Sequence, residues 1–500
     1  MISGRTPREW DENMKFIGRS AELSALDRMY KKNSFEMMIL YGRRRVGKTT
    51  LLNQFAEGKN VLFYTGVESK DSENLIEFGR AVFSHFSNVN AAGIEFRSYQ
   101  DVLAYITDSV KRDTSGKREV IIIDEYPYIA ENAPELASLL QREIDREWKD
   151  LNIMLILCGS SIAFMEEDVL GQKSPLYGRR TGQIDLQPFD YLTSAEFVPA
   201  YTPEEKAIAY GITGGIPRYL SLLDPEKTLE ENILALYFDA SGYLYEEPKN
   251  MLRQEFRDIS LYFAILGAIG SGSTQLSEIS DKTGFDSAKT AQAVRKLEAV
   301  RIIRKDVPIL NEKNRKLNQY IIQDGMFRFW FRFVAKGTGA IERTYGNEYY
   351  AAMVKPYIHE FMGPVFETIC QEYTFRTGVT GKYGSPITRI GKWRGADPVL
   401  KCPSDIDVVG INEADKTAVI GECKFRNRSF GKEECETLMD RARLLAPYRI
   451  EKYLMFSLGG YSDWVVEYAQ NDSTVVLVSI GSLYSGAFCQ PEWRCCLIHS

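Results

Sequence analysis

The chain has 500 residues, 44% hydrophobic and 26% charged, with a formal net charge of −6. That length implies about three domains, and the composition excludes wholesale disorder. The mild negative charge excludes a global nucleic-acid footprint, and the longest apolar stretch (153–165) is too short to span a bilayer and is broken by Gly159, Ser160 and Ser161.

Residues 16–23 read Phe-Ile-Gly-Arg-Ser-Ala-Glu-Leu and precede an apolar strand at 37–41. That strand runs into Gly42-Arg43-Arg44-Arg45-Val46-Gly47-Lys48-Thr49-Thr50, which fits the P-loop pattern GxxxxGK(S/T). Glycines at those spacings let backbone N–H groups wrap a phosphate chain, and the following helix points its positive end at the same anion. Lys48 is expected to reach the β- and γ-phosphates of ATP, and Thr49 to hold Mg²⁺. Arg43, Arg44 and Arg45 either add phosphate affinity or face solvent.

Further strands are expected at 60–65, 119–124, 152–158 and 183–187, with helices between them at 73–86 and 133–147. The alternation predicts an α/β class, a doubly wound parallel sheet. The run Glu119-Val-Ile-Ile-Ile-Asp124-Glu125 has no alternation, as expected of a strand buried on both faces. It ends in two carboxylates: Asp124 for the Mg²⁺ shell, Glu125 to orient and deprotonate the attacking water.

Residues 190–250 turn helical around the break Gly214-Gly215-Ile216-Pro217-Arg218. The box at 16–23, the P-loop, Asp124-Glu125, Cys158-Gly-Ser-Ser161, Gly178-Arg179-Arg180 and Gly214–Arg218 together resemble archaeal-type ATPases of the STAND/AAA+ group over about residues 15–235. The resemblance implies a γ-phosphate sensor at Ser160 or Ser161, an arginine finger at Arg179 or Arg180, and a nucleotide-state reporter at Arg218. A helix cap, a solvated turn arginine and a salt bridge are the respective alternatives.

Residues 274–299 show two short amphipathic helices around a Thr-Gly turn, with apolar positions at Leu276, Ile279, Phe285, Val294 and Leu297. Strands at 301–306 and 318–322 would complete a winged helix. Residues 274–317 carry ten Lys/Arg against six Asp/Glu, a local charge of +4. Ser287, Lys289, Thr290, Gln292 and Arg295 are candidate groove-facing side chains, unless the module serves only for packing.

From about Tyr345 a long helix is expected to lead into a second α/β domain. Residues 404–411 alternate like a strand, 412–416 turn, and 417–424 return. Pairing Ile411 with Ala418 places Asp407 opposite Glu422, with Lys424 on the same face. Directly opposed Cβ atoms lie ~4.5–5.5 Å apart, within reach of one divalent cation. The hairpin resembles the PD-(D/E)xK restriction-endonuclease-like core, in the domain of unknown function often appended to archaeal-type ATPases. Asp407 matches the acid and Glu422-x-Lys424 the ExK. Glu367 matches an additional helix Glu, and Ile390-Gly391-Lys392-Trp393 matches a further segment. Asp405 stands where that family commonly shows Glu. The resemblance implies Mg²⁺ on Asp407 and Glu422 and cleavage of a phosphodiester. A degenerate core used for binding is the alternative.

The expected organisation is a P-loop ATPase domain with a helical subdomain (1–235), a winged helix (236–340) and a nuclease-like domain (341–500). The expected partners are ATP and nucleic acid, DNA ahead of RNA, with no membrane and with homo-oligomerisation left open. The first sixteen residues lack the apolar segment of a secretion signal. The eight cysteines form no CxxC pair and there are only three histidines, which fits a reducing cytoplasm. A nucleotide-regulated DNA-binding regulator, or a protein scaffold, is the rival to the ATP-switched nuclease.

Overall fold

A computed structural model describes residues 16–87 and 93–485. The leader reading for the N-terminus therefore falls outside the described residues, apart from Phe16. The chain divides between Pro188 and Phe189 into two compact units.

The first unit holds strands β1 (Glu36–Tyr41), β2 (Val61–Thr65), β3 (Glu119–Asp124), β4 (Ile153–Gly159) and β5 (Gly182–Asp185). They form one parallel sheet in the order β2-β3-β4-β1-β5. β1, β3 and β4 are buried along their whole length, which explains their unbroken apolar sequences. β2 alternates between buried and half-buried, as suits an edge. The five expected strands are present with ends shifted by a residue or two, and the two expected helices appear as Asp71–Ser87 and Glu135–Arg146. Chain order and spatial order diverge at β1, whose connection leaves for the far edge. The crevice outside the carboxyl ends of a doubly wound sheet opens at such a switch point.

The second unit begins with helices Tyr191–Ala195, Pro203–Thr213, Pro217–Leu220, Leu229–Tyr237 and Glu247–Glu255. Gly214 caps Pro203–Thr213 in the left-handed region, and a Cβ at Gly215 would lie 2.1 Å from the Phe189 carbonyl oxygen. The break expected at Gly214–Arg218 thus has a steric cause. Helices Ser260–Gly270, Leu276–Thr283 and Ser287–Ala299 follow, with an antiparallel pair β6 (Ile303–Asp306) and β7 (Gln319–Ile322).

The long helix expected after Tyr345 runs from Ile358 to Gly378, preceded by a shorter one at Gly346–Met353. Behind it stand β8 (Arg389–Asp397), β9 (Cys402–Asn412), β10 (Thr417–Lys424), β11 (Arg449–Ser457) and β12 (Val475–Ser479), ordered β12-β11-β10-β9-β8. β8, β9 and β10 are antiparallel, while β10, β11 and β12 are parallel. The β9–β10 register pairs Ile411 with Ala418 as expected, and the ladder ends at Gly421–Val408, one step short of Asp407 and Glu422. No helix among the described residues is long and apolar enough to cross a membrane.

The central strands make a direct prediction. Ile156 is fully buried in β4 between β1 and β3. Ile156→Ala should lower the stability of the first unit by about 2–5 kcal/mol, read as an earlier urea transition.

Candidate functional site: the P-loop cluster and the C-terminal charge network

The loop between β1 and helix Lys48–Ala56 has positive φ at Gly42 (151°), Arg45 (71°) and Gly47 (86°). A Cβ on Gly42 would lie 2.5 Å from the Leu186 carbonyl oxygen, so the strand passes there only as glycine. Gly47 caps the helix without a side chain, leaving the first-turn N–H groups for an anion. The buried Lys48 ammonium donates to the carbonyls of Gly42 (3.0 Å) and Arg43 (3.2 Å).

Side chains join the ends of β3 and β4 to the helix that follows β1. The Thr49 hydroxyl donates to Asp124 Oδ2 at 2.7 Å, and the Glu125 N–H donates to Asp124 Oδ1 at 3.0 Å. Glu125 takes a left-handed turn (φ 49°) as the chain leaves β3. Its Oε2 accepts from the Ser160 hydroxyl at 2.7 Å and the Ser160 N–H at 3.2 Å. Thus Ser160, not Ser161, meets the proposed base, and Ser161 makes no capping bond with its side chain. Burial, with Asp124 beside it, pushes the Cys158 thiol up, so it stays neutral behind the cluster.

Of the loop arginines, Arg43 is buried rather than solvent-facing. Arg44 donates to the Tyr128 hydroxyl at 2.9 Å, and Arg45 is half-buried. Val46 is fully buried, while Thr49 and Thr50 are exposed. Arg19 carries a function that sequence reasoning missed. Its guanidinium donates to the carbonyls of Val46 (2.9 Å) and Gln187 (2.8 Å), clamping the loop to the end of β5. Its place in the box at 16–23 was the available signal.

The candidate fingers lie elsewhere. Arg179 forms a two-pronged pair with Asp145 (3.1 and 2.8 Å), and Arg180 donates to the Leu170 carbonyl at 3.5 Å. Arg218 belongs to the second unit, where its guanidinium lies 5.1 Å from the centre of the Tyr243 ring.

On Ser287–Ala299, Ser287, Lys289, Gln292 and Arg295 are exposed, but Thr290 is fully buried and cannot face a groove. Its helical spacing from Ala293, Val294 and Leu297 puts it on the packed stripe.

In the C-terminal sheet the structure brings Glu367, Asp407, Glu422 and Lys424 together and adds further partners. The Lys392 ammonium lies 3.0 Å from Glu367, 3.2 Å from Asp405 and 3.2 Å from Asp407. Gln371 donates to the Asp407 carbonyl at 2.7 Å, and the Cys423 N–H donates to Asp407 Oδ2 at 3.0 Å. Glu422 is bound by Lys424 at 2.5 Å and by Arg441 at 3.3 Å. Burial and the charge of Asp407 raise the Glu367 carboxyl to about 7, against the pull of Lys392. The same two causes raise Glu422. Burial alone would lower Lys392, but the surrounding carboxylates raise it, so it remains an ammonium. The segment Ile390–Trp393 signalled Lys392. Nothing in the sequence marked Arg441, nineteen positions beyond Glu422 on another element.

The two sites differ in what they can hold. At the P-loop, a threonine hydroxyl and a carboxylate converge as hard oxygen donors, which fits Mg²⁺ on Thr49 and Asp124. In the C-terminal core, amine, guanidinium and amide groups take the oxygens of Asp407 and Glu422. Among the described residues no group of three or more His, Cys, Asp or Glu is disposed to hold a metal ion. With Lys392 in place, these carboxylates do not fit a divalent cation.

The parallel sheet with its phosphate-binding loop and paired acids defines a P-loop ATPase-type domain. Residues 16–223 match a family described as an ATPase domain predominantly from Archaea. Residues 330–438 match one described as archaeal and bacterial proteins of unknown function. An uncharacterised protein of Methanocaldococcus jannaschii is 30% identical over 416 residues, covering 82% of this chain and 88% of the relative. An uncharacterised ATP-binding protein of the same organism is 48% identical over 46 residues, which are 9% of this chain and 78% of that protein. The chain belongs to the archaeal ATPase family that these matches define, with a C-terminal segment of the unknown-function type. The solved Walker-type ATPase of Pyrococcus abyssi is 21% identical, covering 63% of this chain and 96% of its own, with a TM-score of 0.47.

A hydrogen bond to a charged group is worth about 1.5–3 kcal/mol, so Ser160→Ala should lower ATP turnover roughly 10- to 100-fold. Ser161→Ala should leave it unchanged. Steady-state phosphate release, with nucleotide affinity measured alongside, checks both.

Proposed function

We propose that the protein is an ATP-hydrolysing switch whose C-terminal domain acts on nucleic acid. The observation that carries the nucleotide half is the bonded series Thr49–Asp124–Glu125–Ser160, which gathers the ends of three strands beside an anion-binding loop. ATP would lie along Gly42–Thr50, with the loop N–H groups and Lys48 on its phosphates. Mg²⁺ on Thr49 and Asp124 would neutralise phosphate charge. Glu125 would accept a proton from the attacking water, and Ser160 would hold that carboxylate in line. Arg179, if it serves as a finger, must first leave Asp145. Arg218 would report nucleotide state from the helices that follow Phe189. The functional division is a nucleotide part to about residue 235, a winged-helix part to 340 and a nuclease-like part beyond.

For the C-terminal half, the reading rests on the expected register of Asp407 and Glu422 and the placement of Lys424 beside them. With Glu367, and once Lys392 has left Asp407, these residues would form the site that cuts a phosphodiester. The exposed Lys289 and Arg295 offer phosphate contacts, with DNA ahead of RNA. A nucleotide-regulated DNA-binding regulator with a catalytically dead core is the second reading, favoured by the charge compensation around Asp407. A cytoplasmic location completes the proposal.

Lys48→Ala should abolish tight ATP binding, measured by fluorescent-nucleotide titration. In a labelled-DNA assay with Mg²⁺ and ATP, Asp407→Ala or Glu422→Ala should remove cleavage while ATP hydrolysis persists. Cleavage by Asp407→Ala equal to wild type would discard the nuclease reading. No cleavage by wild type under any nucleotide condition would leave the DNA-binding regulator.

A further inference from the structure

We propose that Lys392 is the resident cation of the C-terminal acidic core, so that its ammonium and a divalent ion exclude one another from the same carboxylates. This deepens the nuclease-like reading of that core by naming what controls entry to it.

An ammonium has three hydrogens to donate. Lys392 meets three carboxylates from two elements: Glu367 on the helix Ile358–Gly378, and Asp405 and Asp407 on β9. All three lie at 3.0–3.2 Å, and only 19% of the lysine side chain is exposed. A compact, strongly hydrated ammonium is buried to that extent only where acceptors replace its water, and here all three acceptors are carboxylates. Other oxygens nearby are also engaged: Asp407 Oδ2 accepts from the Cys423 N–H, and Glu422 is bound by Lys424 and Arg441.

Four carboxylates therefore face three fixed cations. A divalent ion needs carboxylate oxygens at about 2.0–2.6 Å. Placed on Asp407 Oδ1 it would stand against the Lys392 ammonium, and the two cations would repel at short range. Lys392 must swing away before the ion enters. Its flexible stem permits this, whereas the backbone of β8 is held, with the Lys392 carbonyl accepting the Ile309 N–H at 2.9 Å.

The test is Mn²⁺ binding to nucleotide-free full-length protein, read by electron paramagnetic resonance, with thermal melting in parallel. Wild type should hold no Mn²⁺ that Asp407→Ala removes, and its melting temperature should respond to the metal no more than that of Asp407→Ala. Lys392→Met should gain Mn²⁺ affinity by about tenfold or more, because a coupled competitor has been taken away. That gain should vanish when Asp407→Ala is added, and melting of Lys392→Met should rise with Mn²⁺. A folded Lys392→Met that binds no more Mn²⁺ than wild type overturns the proposal. If Lys392→Met does not fold, wild type decides: Mn²⁺ bound to it and lost in Asp407→Ala overturns the proposal without any lysine variant. Because the readout is binding rather than cleavage, a negative result is distinct from failure of the nuclease reading.

Discussion

A parallel sheet brings the ends of its strands to one edge but does not tie them to each other, and here polar side chains do so. Thr49 from the helix after β1 donates to Asp124 at the end of β3, and Glu125, one residue on, is gripped by Ser160 at the end of β4. Everything proposed for the nucleotide site depends on this bridge. It requires β4 to lie between β1 and β3, which the buried, unalternating sequences of all three allow. It also requires the left-handed turn at Glu125, a conformation that costs a non-glycine residue about 1 kcal/mol or more. Arg19 fixes the other side of the loop through the carbonyls of Val46 and Gln187, so the anion-binding turn is held from both flanks.

The second unit shows a different electrostatic solution. At the P-loop, the carboxylates of Asp124 and Glu125 accept from hydroxyl and amide donors, and Lys48 donates to the carbonyls of its own loop. In the C-terminal core, Asp407 lies close enough to raise the proton affinity of Glu367 and Glu422, and the acids are offset by Lys392, Lys424 and Arg441. The strand that carries Lys392 is an edge strand, and it is covered. Ile309 packs in the same apolar cluster as Trp393, Ile406 and Val409, and Arg394 pairs with Asp306 at 2.6 Å. The segment joining β6 to β7 is thereby pinned to the acidic core through backbone and side chain alike. A covered edge also removes unpaired strand groups that would otherwise invite aggregation.

Much of this was legible because the signals were periodic or local. Unbroken β-branched and apolar runs located the buried strands, and glycine spacing located the loop. Alternation around a short turn fixed the register that brings Asp407 toward Glu422. Choices that depend on tertiary placement were not legible. Either serine could have ended β4 facing the base, and only the path of the turn selects Ser160. Thr290 reads as polar, yet its helical phase with Ala293, Val294 and Leu297 buries it. Arg179 lies in a turn that resembles a finger, but its partner Asp145 is on a helix 34 residues earlier, beyond any local pattern. Arg441 joins Glu422 by the same kind of long-range packing. Lys392 was visible as part of a short segment, but its contact with three acids depends on how β8 pairs with β9 and faces the helix.

Glu125 is assigned to take a proton from water while Asp124, Thr49 and Lys48 hold nucleotide. Replacing its carboxylate by an amide of the same shape separates those roles. Rapid mixing of Glu125→Gln protein with radiolabelled ATP and Mg²⁺ should yield a stable complex with affinity close to wild type. Phosphate release should fall by about 10²–10⁴-fold, the usual contribution of a positioned base. Phosphate release from Glu125→Gln at the wild-type rate would contradict the account at its centre.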